Sequence, residues 1–240
     1  IETYALDGID LDWEYPGQPG PGIKFRPEDR ENFTALLQTM RAHLQSRLLT
    51  IASGGGRYFD HTEMDRLHHF LDWINVMTYD FAGSWSTTTG HHTPLYRSAA
   101  APDSIAGSDF IEQHLRAGIP PRKIVLGAAF YGRSWKGVNR ENNGLFQPYE
   151  SYDSDVPYSR IVAEYLPSGA FERMWDEAAR APYLWDAAAG RFVTYDDPQS
   201  LREKARYVKA RGLGGMMYWE HSHDPGETLL DAIVMSFRAP

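Results

Sequence analysis

The chain has no cysteine, so disulfide bonds and thiolate-bound zinc are excluded. It has no apolar run close to the roughly 20 residues of a membrane-spanning helix. It also has no cluster of lysine and arginine of the kind that indicates a nucleic-acid partner. Neither an initiator methionine nor a signal peptide is present, and we therefore expect a processed or excised chain.

What is present is enough for one substantial core and a small second lobe, because 42% of the 240 residues are hydrophobic. The formal net charge of −8 is neutral evidence about partners, since an uncharged polymer needs no electrostatic attraction. Seven tryptophans and fourteen tyrosines are many, and aromatic faces stack well on sugar rings. For any single aromatic residue, however, a place in the core is the better prediction.

The most informative segment is DGIDLDWE, residues 7–14. It places Asp10, Asp12 and Glu14 at i, i+2 and i+4, with apolar residues between them. On a strand this spacing puts the three carboxylates in one row and the apolar side chains on the other face. Like charges in a row on an otherwise buried strand raise the pKa of at least one acid. A carboxyl group that stays protonated near neutral pH is what a general acid in glycoside hydrolysis requires.

The same acids also allow other interpretations. An EF-hand calcium loop that starts at Asp10 is excluded, because Tyr15 occupies the sixth position where glycine is required. A magnesium site and a solvated acidic strand stay open. The pairs His91–His92 and His221–His223 lack a completing carboxylate, so we predict no metal site there.

Strand-like and helical segments alternate along most of the chain, which predicts a parallel sheet with right-handed crossovers. The predicted strands are 8–13, 48–52, 73–79, 124–131 and 213–219. The predicted helices are 27–46, 64–71, 104–117 and 198–210, with Asp197 as an N-cap, and one after Pro225. The stretch 137–194 breaks this rhythm, and we interpret it as a small α+β insertion. The expected division is therefore 1–136, 137–194 and 195–240.

DGIDLDWEYPG closely resembles the DxxDxDxE signature of glycoside hydrolase family 18, the chitinases and their relatives. The resemblance implies an α/β fold of the (β/α)8 TIM-barrel type, with this motif on the fourth strand and the insertion after the seventh. Segments that match strands four to eight are found, but none that matches the first three. We therefore expect open edges at the first and last strands, and we hold self-association through those edges as a hypothesis.

The resemblance also implies roles for four residues as the catalytic group. Glu14 would protonate the glycosidic oxygen and later act as a base toward water. Asp12 would orient the substrate acetamido group and stabilise the developing oxazolinium charge, while Asp10 would share a proton or a hydrogen bond with Asp12. Tyr79, in the segment MTYD, would donate its hydroxyl to the acetamido carbonyl oxygen.

Six further residues are implied as substrate-binding groups at other strand ends. Met77 would line the pocket below the acetamido methyl, although a core position fits it equally well. Asp80 would bind a sugar hydroxyl. Arg133 would contact sugar hydroxyls or brace Asp80, with a surface arginine as the alternative. The remaining three are aromatic: Tyr131 at the seventh strand, Trp219 as a floor below the sugar, and Trp85 at a neighbouring subsite.

The family resemblance implies hydrolysis of chitin or chito-oligosaccharides with retention, in which the acetamido oxygen of the substrate is the nucleophile. This chemistry requires no metal or other cofactor. Three alternatives remain: an endo-β-N-acetylglucosaminidase that acts on N-glycans, a non-catalytic chitin-binding protein, and a truncated chain without a working site. We expect a secreted, extracellular protein, with no nucleic-acid and no membrane partner.

Overall fold

The computed structural model describes residues 1–238, and the chain divides into two compact units. The first unit consists of Ile1–Met77, Asp109–Leu126 and Arg211–Gly215, and the second takes the other described residues. No helix in the described part of the chain is long and apolar enough to cross a membrane.

The elements up to the fourth strand alternate between strands and helices. They are β1 (Gly8–Leu11), α1 (Asp29–Leu44), β2 (Leu48–Ser53), α2 (Met64–Leu67), β3 (Trp73–Val76), α3 (Gly107–Arg116) and β4 (Ile124–Ala129). Asp29 and Glu31 lie in the first turn of α1, where their negative charges interact favourably with the positive end of the helix dipole. The helix buries Phe33 and Leu37, which are four positions apart and therefore lie on one face of the helix.

The parallel sheet has the strand order β1-β2-β3-β4-β10, where β10 is Gly215–Trp219. All five predicted strands are present, and β1 and β10 end the sheet, so the described residues form no closed barrel. The register places Asp10 opposite Thr50, and Thr50 opposite Trp73. Since neighbouring strands lie about 4.8 Å apart, polar side chains on one face at these positions are within hydrogen-bonding reach of each other.

The second unit contains an antiparallel sheet of order β6-β5-β9-β8-β7. Its strands are β5 (Tyr131–Lys136), β6 (Ser151–Pro157), β7 (Glu172–Asp176), β8 (Ala181–Asp186) and β9 (Arg191–Thr194). The expectation of one strand over 124–131 is wrong: β4 ends at Ala129, and Tyr131 already pairs antiparallel with Pro157. The predicted three-part division of the chain stays a prediction.

The remaining helices are α4 (Tyr158–Arg160), which continues as a π-helical turn over Ile161–Tyr165, then α5 (Pro198–Arg211) and α6 (Thr228–Arg238). The predicted cap of α5 is confirmed, because the Asp197 carboxylate accepts hydrogen bonds from the backbone N–H groups of Gln199 and Ser200 at 2.8 and 2.9 Å. Asp224 caps α6 in the same way, at 2.7 Å from the N–H of Leu229.

In the second unit, Lys204 of α5 forms a buried ion pair with Asp196. The ammonium of Lys204 is 2.6 Å from a carboxylate oxygen of Asp196, and both side chains are almost fully buried. Lys204 also donates to the hydroxyl of Thr93 at 2.6 Å. The backbone N–H of Ala129, at the end of β4, donates to the same Asp196 oxygen at 3.2 Å. This network therefore joins α5 to the end of β4.

Candidate functional site

The acidic row lies at the carboxyl end of β1. The strand ends at Leu11, so the prediction of a strand to residue 13 is wrong, and Asp12 and Glu14 follow the strand. Trp13 packs edge-on against Phe33 of α1, with ring centroids 5.3 Å apart. One face of the segment is therefore packed against a helix. The carboxyl end of a barrel strand is where enzymes of this fold class place their chemistry.

Asp10 is held from β2, the neighbour of β1, and from β3, the next strand of the sheet. Its Oδ1 accepts a hydrogen bond from the hydroxyl of Thr50 on β2 and another from the side-chain amide of Asn75 on β3, at 3.1 Å. The expectation of an otherwise buried strand is wrong, because every residue of β1 is half-buried or exposed. No sequence motif singles out Thr50 or Asn75, since both lie far from the acids along the chain.

Partial burial raises the pKa of Asp12, and the negative charges of Glu14 and Asp10 raise it further. The prediction that the row raises the pKa of at least one acid is thus confirmed, at Asp12. Tyr58 was not predicted. It is buried, and burial together with the charges of Asp12 and Glu14 raises the pKa of its phenol well above the usual value, so it stays a neutral group beside the acids.

Gly20 lies against the backbone of Glu14, which leaves no room for a larger residue at position 20. A Cβ atom at this position would collide with the carbonyl oxygen of Glu14. Glycine is therefore required for the loop to return past the candidate acid.

In the second unit, Asp80 is the centre of a hydrogen-bonded cluster. Its Oδ1 accepts from the hydroxyl of Tyr131 at 2.6 Å and from Nε of Arg133 at 2.9 Å. Burial raises the pKa of Asp80, but the hydrogen bond and charge of His92, the charge of Arg133 and the hydrogen bond of Tyr131 outweigh it and lower the pKa to about 2. Asp80 is therefore a firmly ionised acceptor.

Arg133 braces this carboxylate. It is only 7% exposed, so the surface-arginine alternative does not hold. It also donates to the hydroxyl of Tyr152 at 3.0 Å and to Asp155 at 2.8 Å. Its guanidinium lies 4.8 Å from the ring centroid of Trp85. The planar fork of arginine suits such a set of simultaneous contacts.

A cavity of about 300 Å³ lies in the second unit. Its lining residues come from several segments: Asp80, Tyr131, Arg133, Asp155, Val156, Pro157, Trp219 and His223. Trp219 and Trp85 are 56% and 60% exposed, so both present aromatic surface to solvent. The cavity thus combines an ionised acceptor, a cation and an aromatic face, which are the groups that sugar recognition uses.

The other two predicted residues follow β3. Met77 is in the first unit, half-buried, with its N–H bonded to the carbonyl of Ser53 at 2.9 Å. Tyr79 is in the second unit, half-buried, with its ring 6.2 Å from that of Tyr131. Its hydroxyl lies 4.0 Å from the sulfur of Met217.

The histidine pairs have other partners than a metal. His92 is fully buried, with Nδ1 3.6 Å from Asp80, and His91 lies 3.2 Å from Asp176. Across residues 1–238 no group of histidine, aspartate and glutamate side chains has the geometry to hold a metal ion. In the sequence, His92 stands out only as one member of a histidine pair. Its place beside Asp80 follows from its burial in the fold.

Comparisons with known proteins identify relatives of this chain. The family model described as "Glycosyl hydrolases family 18" matches residues 1–224. Chitinase A1 from Niallia circulans is 38% identical over 253 residues, which cover 95% of this chain and 36% of that protein. Chitinase B from Serratia marcescens is 31% identical and is covered to 56%. The chain thus spans between about one third and somewhat over one half of these relatives.

Two solved structures have the same fold at high similarity. A glycoside hydrolase family 18 N-acetylglucosaminidase from Paenibacillus barengoltzii superimposes with a TM-score of 0.93 at 44% identity, covering 98% of this chain and 72% of that one. Chitinase ChiA74 from Bacillus thuringiensis also gives 0.93, at 39% identity, covering 99% of this chain and 44% of that one. The predicted TIM-barrel type of α/β fold is confirmed. Together with the family model, these matches show that the chain belongs to glycosyl hydrolase family 18.

Proposed function

We propose that this chain hydrolyses the β-1,4 linkages of chitin or chito-oligosaccharides with retention of configuration. The observation that carries the proposal is the acidic row after β1. In this row Asp10 accepts hydrogen bonds from Thr50 on β2 and Asn75 on β3, and the pKa of Asp12 is raised. Adjacent carboxyl groups in different surroundings support a division of acid and base roles among them.

In the proposed reaction, Glu14 donates its proton to the glycosidic oxygen while the bond from that oxygen to the anomeric carbon breaks. The carbonyl oxygen of the substrate acetamido group attacks the same carbon and forms an oxazolinium ion, which is the substrate-assisted variant of retaining hydrolysis. Asp12 accepts the acetamido N–H and stabilises the positive charge. Ionised Glu14 then takes a proton from the water that opens the ring.

Further residues are proposed to bind the sugar. Tyr79 donates to the acetamido carbonyl oxygen, and ionised Asp80 accepts a sugar hydroxyl. Trp219 and Trp85 offer exposed aromatic faces to sugar rings. Tyr131 and Arg133 hold Asp80 in place and line the same cavity. Met77 lines the pocket below the acetamido methyl.

The test is the release of 4-nitrophenol from its chitobiose and chitotriose glycosides by the 240-residue chain and by Glu14→Gln. We expect turnover to fall by about 10³-fold or more in the variant, since the general acid is removed and its shape is kept. Glu31→Gln, an exposed glutamate in the first turn of α1, is the matched control. Full turnover by Glu14→Gln would refute the assignment of the acid. Binding to colloidal chitin without turnover in the unmodified chain would favour a chitin-binding protein.

A second candidate activity is the removal of single N-acetylglucosamine residues. It is favoured by the similarity to the family 18 N-acetylglucosaminidase from Paenibacillus barengoltzii, at 44% identity. The 4-nitrophenyl glycoside of N-acetylglucosamine distinguishes the two activities, because only the second releases nitrophenol from it efficiently.

We further propose that the protein is secreted, since its substrate is an extracellular polymer. Self-association is a separate proposal that rests on the sheet order, in which β1 and β10 are end strands. Size-exclusion chromatography over a range of concentrations tests it, and a monomer at the highest concentration would contradict it.

A further inference from the structure

His92 lies between two acceptors of the second unit, the Tyr131 carbonyl and the Asp80 carboxylate. We propose that His92 is a positioning residue with two states: the neutral ring donates only to Tyr131, and the ring that has taken up a second proton also donates toward Asp80, so that sugar binding at Asp80 tightens as the pH falls. This inference rests on the proposed function, because it assigns a pH-dependent support to one of the proposed sugar-binding groups.

The neutral state follows from the contact with Tyr131. Nε2 of His92 is 3.1 Å from the Tyr131 carbonyl oxygen, and the ring is fully buried. A carbonyl oxygen only accepts, so Nε2 carries a hydrogen. In a neutral imidazole the other nitrogen, Nδ1, then has no hydrogen and presents a lone pair. Nε2 is therefore fixed as a donor, and Nδ1 is the atom that can gain a proton.

The second state follows from the position of Nδ1 opposite Asp80. Nδ1 lies 3.6 Å from Oδ1 of that carboxylate, which is too long for a hydrogen bond. Within residues 1–238, Nδ1 of His92 has no hydrogen-bond partner. This is the geometry expected of a neutral ring, because a lone pair and a carboxylate repel each other. A proton on Nδ1 reverses the sign of this contact and turns it into an ion pair.

The neighbouring residue His91 differs in the number of acceptors that it contacts. His91 is also buried, and its Nε2 is 3.2 Å from the Asp176 carboxylate. One hydrogen on Nε2 therefore serves that acceptor. Nδ1 of His91 has no hydrogen-bond partner in the described part of the chain. A second proton thus gains a contact at His92 that it does not gain at His91.

The charges around His92 set the pH range of the change. Burial lowers the pKa of His92 and the charge of Arg133 lowers it further, whereas the contact and charge of Asp80 and the charge of Asp196 raise it. Tyr131 stays neutral, because burial and Asp80 raise the pKa of its phenol far above the usual value. The pKa of His92 is lowered on balance, so the second proton is taken up at acidic pH. Asp80 is still ionised there, since its own pKa is lowered to about 2.

The ion pair acts on the sugar through the orientation of Asp80, which lines the cavity. Oδ1 of Asp80 already accepts from the Tyr131 hydroxyl and the Arg133 guanidinium, so a sugar hydroxyl is left with Oδ2. Attraction from His92 holds Oδ1 more firmly and leaves Oδ2 with less freedom before the sugar binds. An acceptor that is ordered in advance binds more tightly, because less entropy is lost on binding.

The test is the pH dependence of KM for the 4-nitrophenyl glycoside of chitobiose, from about pH 4 to 8. We expect KM of the unmodified chain to rise about threefold toward the neutral end, the effect of one hydrogen-bonded contact. In His92→Gln the amide NH₂ takes the place of Nε2 and donates to the Tyr131 carbonyl, but it cannot take up a proton. KM of this variant should therefore stay near the neutral value at every pH, while kcat keeps the pH profile of the unmodified chain.

His91→Gln is the matched control, because its amide can donate to Asp176 while the neighbouring titratable ring is removed. It should keep the pH dependence of KM. A merely structural role of His92 would change KM by the same factor at every pH in His92→Gln, and this result would overturn the proposal. A KM that does not vary with pH in the unmodified chain, or that varies equally in His92→Gln, would overturn it as well.

A readout without substrate separates this proposal from the proposed function and does not depend on the folding of His92→Gln. In ¹⁵N-histidine-labelled protein, the ring nitrogens of His92 are assigned through bonds to the backbone and followed by NMR as the pH falls. Nε2 should carry a hydrogen throughout, and Nδ1 should gain one at acidic pH. In Asp80→Asn this gain should move about one pH unit lower, because the carboxylate is removed.

The two measurements together distinguish the outcomes. If the unmodified chain shows no hydrolysis but the shift in Asp80→Asn is present, the proposed function is wrong and the two states of His92 stand. If Nδ1 titrates at the same pH in Asp80→Asn, or gains no hydrogen while the protein is folded, the proposal for His92 is wrong whatever the activity.

Discussion

Asp12 in the first unit and Asp80 in the second are the same kind of residue in opposite surroundings. Asp12 is partly desolvated and is flanked by the like charges of Glu14 and Asp10, and all three effects raise its pKa. Asp80 is held by Arg133, Tyr131 and His92, and its pKa is lowered to about 2. The comparison teaches that neighbouring charges and donors decide whether an aspartate is prepared to hold a proton or to accept hydrogen bonds.

The largest effect is expected at the buried ion pair of Asp196 and Lys204, where the aspartate and its cation are both almost fully buried. Lys204→Met leaves the Asp196 carboxylate buried without its cation, so we expect the free energy of unfolding to fall by about 3–5 kcal/mol. Urea denaturation followed by tryptophan fluorescence measures the loss.

The double variant Asp196→Asn with Lys204→Met is the informative control, because it removes both charges together. It should recover a substantial part of the loss. A Lys204→Met protein that is as stable as the unmodified chain would show that a buried cation is not needed to hold this carboxylate.

The next effect concerns Asp80 itself. Its pKa in the folded protein lies below the ordinary 3.8, so its contribution to stability is fully present above pH 3.8 and is lost as the pH falls toward about 2. Arg133→Gln removes the bracing cation. We expect a loss of about 2 kcal/mol at pH 7, less than for a fully buried pair because the Asp80 side chain is 38% exposed, and a flatter acidic limb.

Unfolding temperatures measured from pH 2 to 7 test this. Arg160→Gln, which removes an exposed i,i+4 pair with Glu164, is the control and should leave the unfolding temperature nearly unchanged. An acidic limb that stays equally steep in Arg133→Gln would mean that Arg133 does not set the protonation of Asp80.

At Asp12 we expect the opposite effect, which is a gain in the free energy of unfolding. Partial burial and the like charges of the row disfavour ionised Asp12 in the folded state at neutral pH. Asp12→Asn should therefore raise the free energy of unfolding, by only about 0.5–1 kcal/mol because solvent screens this exposed side chain, while hydrolysis is lost. Because the folded-state pKa of this acid is raised, the gain should appear above the ordinary pKa and disappear at lower pH. Asp103→Asn, an exposed aspartate in a loop, should leave stability unchanged.

The sequence predicted the elements of this molecule better than their ends and partners. Apolar runs and the Asp197–Pro198 pair were sufficient to place five parallel strands and the start of α5. The end of β1 at Leu11 was missed, because a strand ends where its pairing ends, and the β1–β2 register stops at Leu11 and Ile51. Pairing is a property of two distant segments and leaves no local signal.

The same reason explains what was found and missed at the candidate site. The spacing of Asp10, Asp12 and Glu14 is local, so the row was visible in one segment. The donors to Asp10 lie 40 and 65 residues further along the chain, and neither Thr50 nor Asn75 is unusual in a strand. Nothing in the segment around His91–His92 indicates that His92 lies beside Asp80, and only the fold reveals it.

The smallest effect tests whether the aromatic contact on Arg133 contributes to the difference between the two carboxylates. Trp85 is 60% exposed and lies 4.8 Å from the Arg133 guanidinium, a geometry worth about 0.5–1 kcal/mol at an exposed site. Trp85→Leu should lower the free energy of unfolding by that amount, and Trp85→Phe by less, because the phenyl face retains part of the attraction. If the two variants lose equally, the indole serves only as a surface for ligand. Asp80 then owes its lowered pKa to Arg133, Tyr131 and His92 alone.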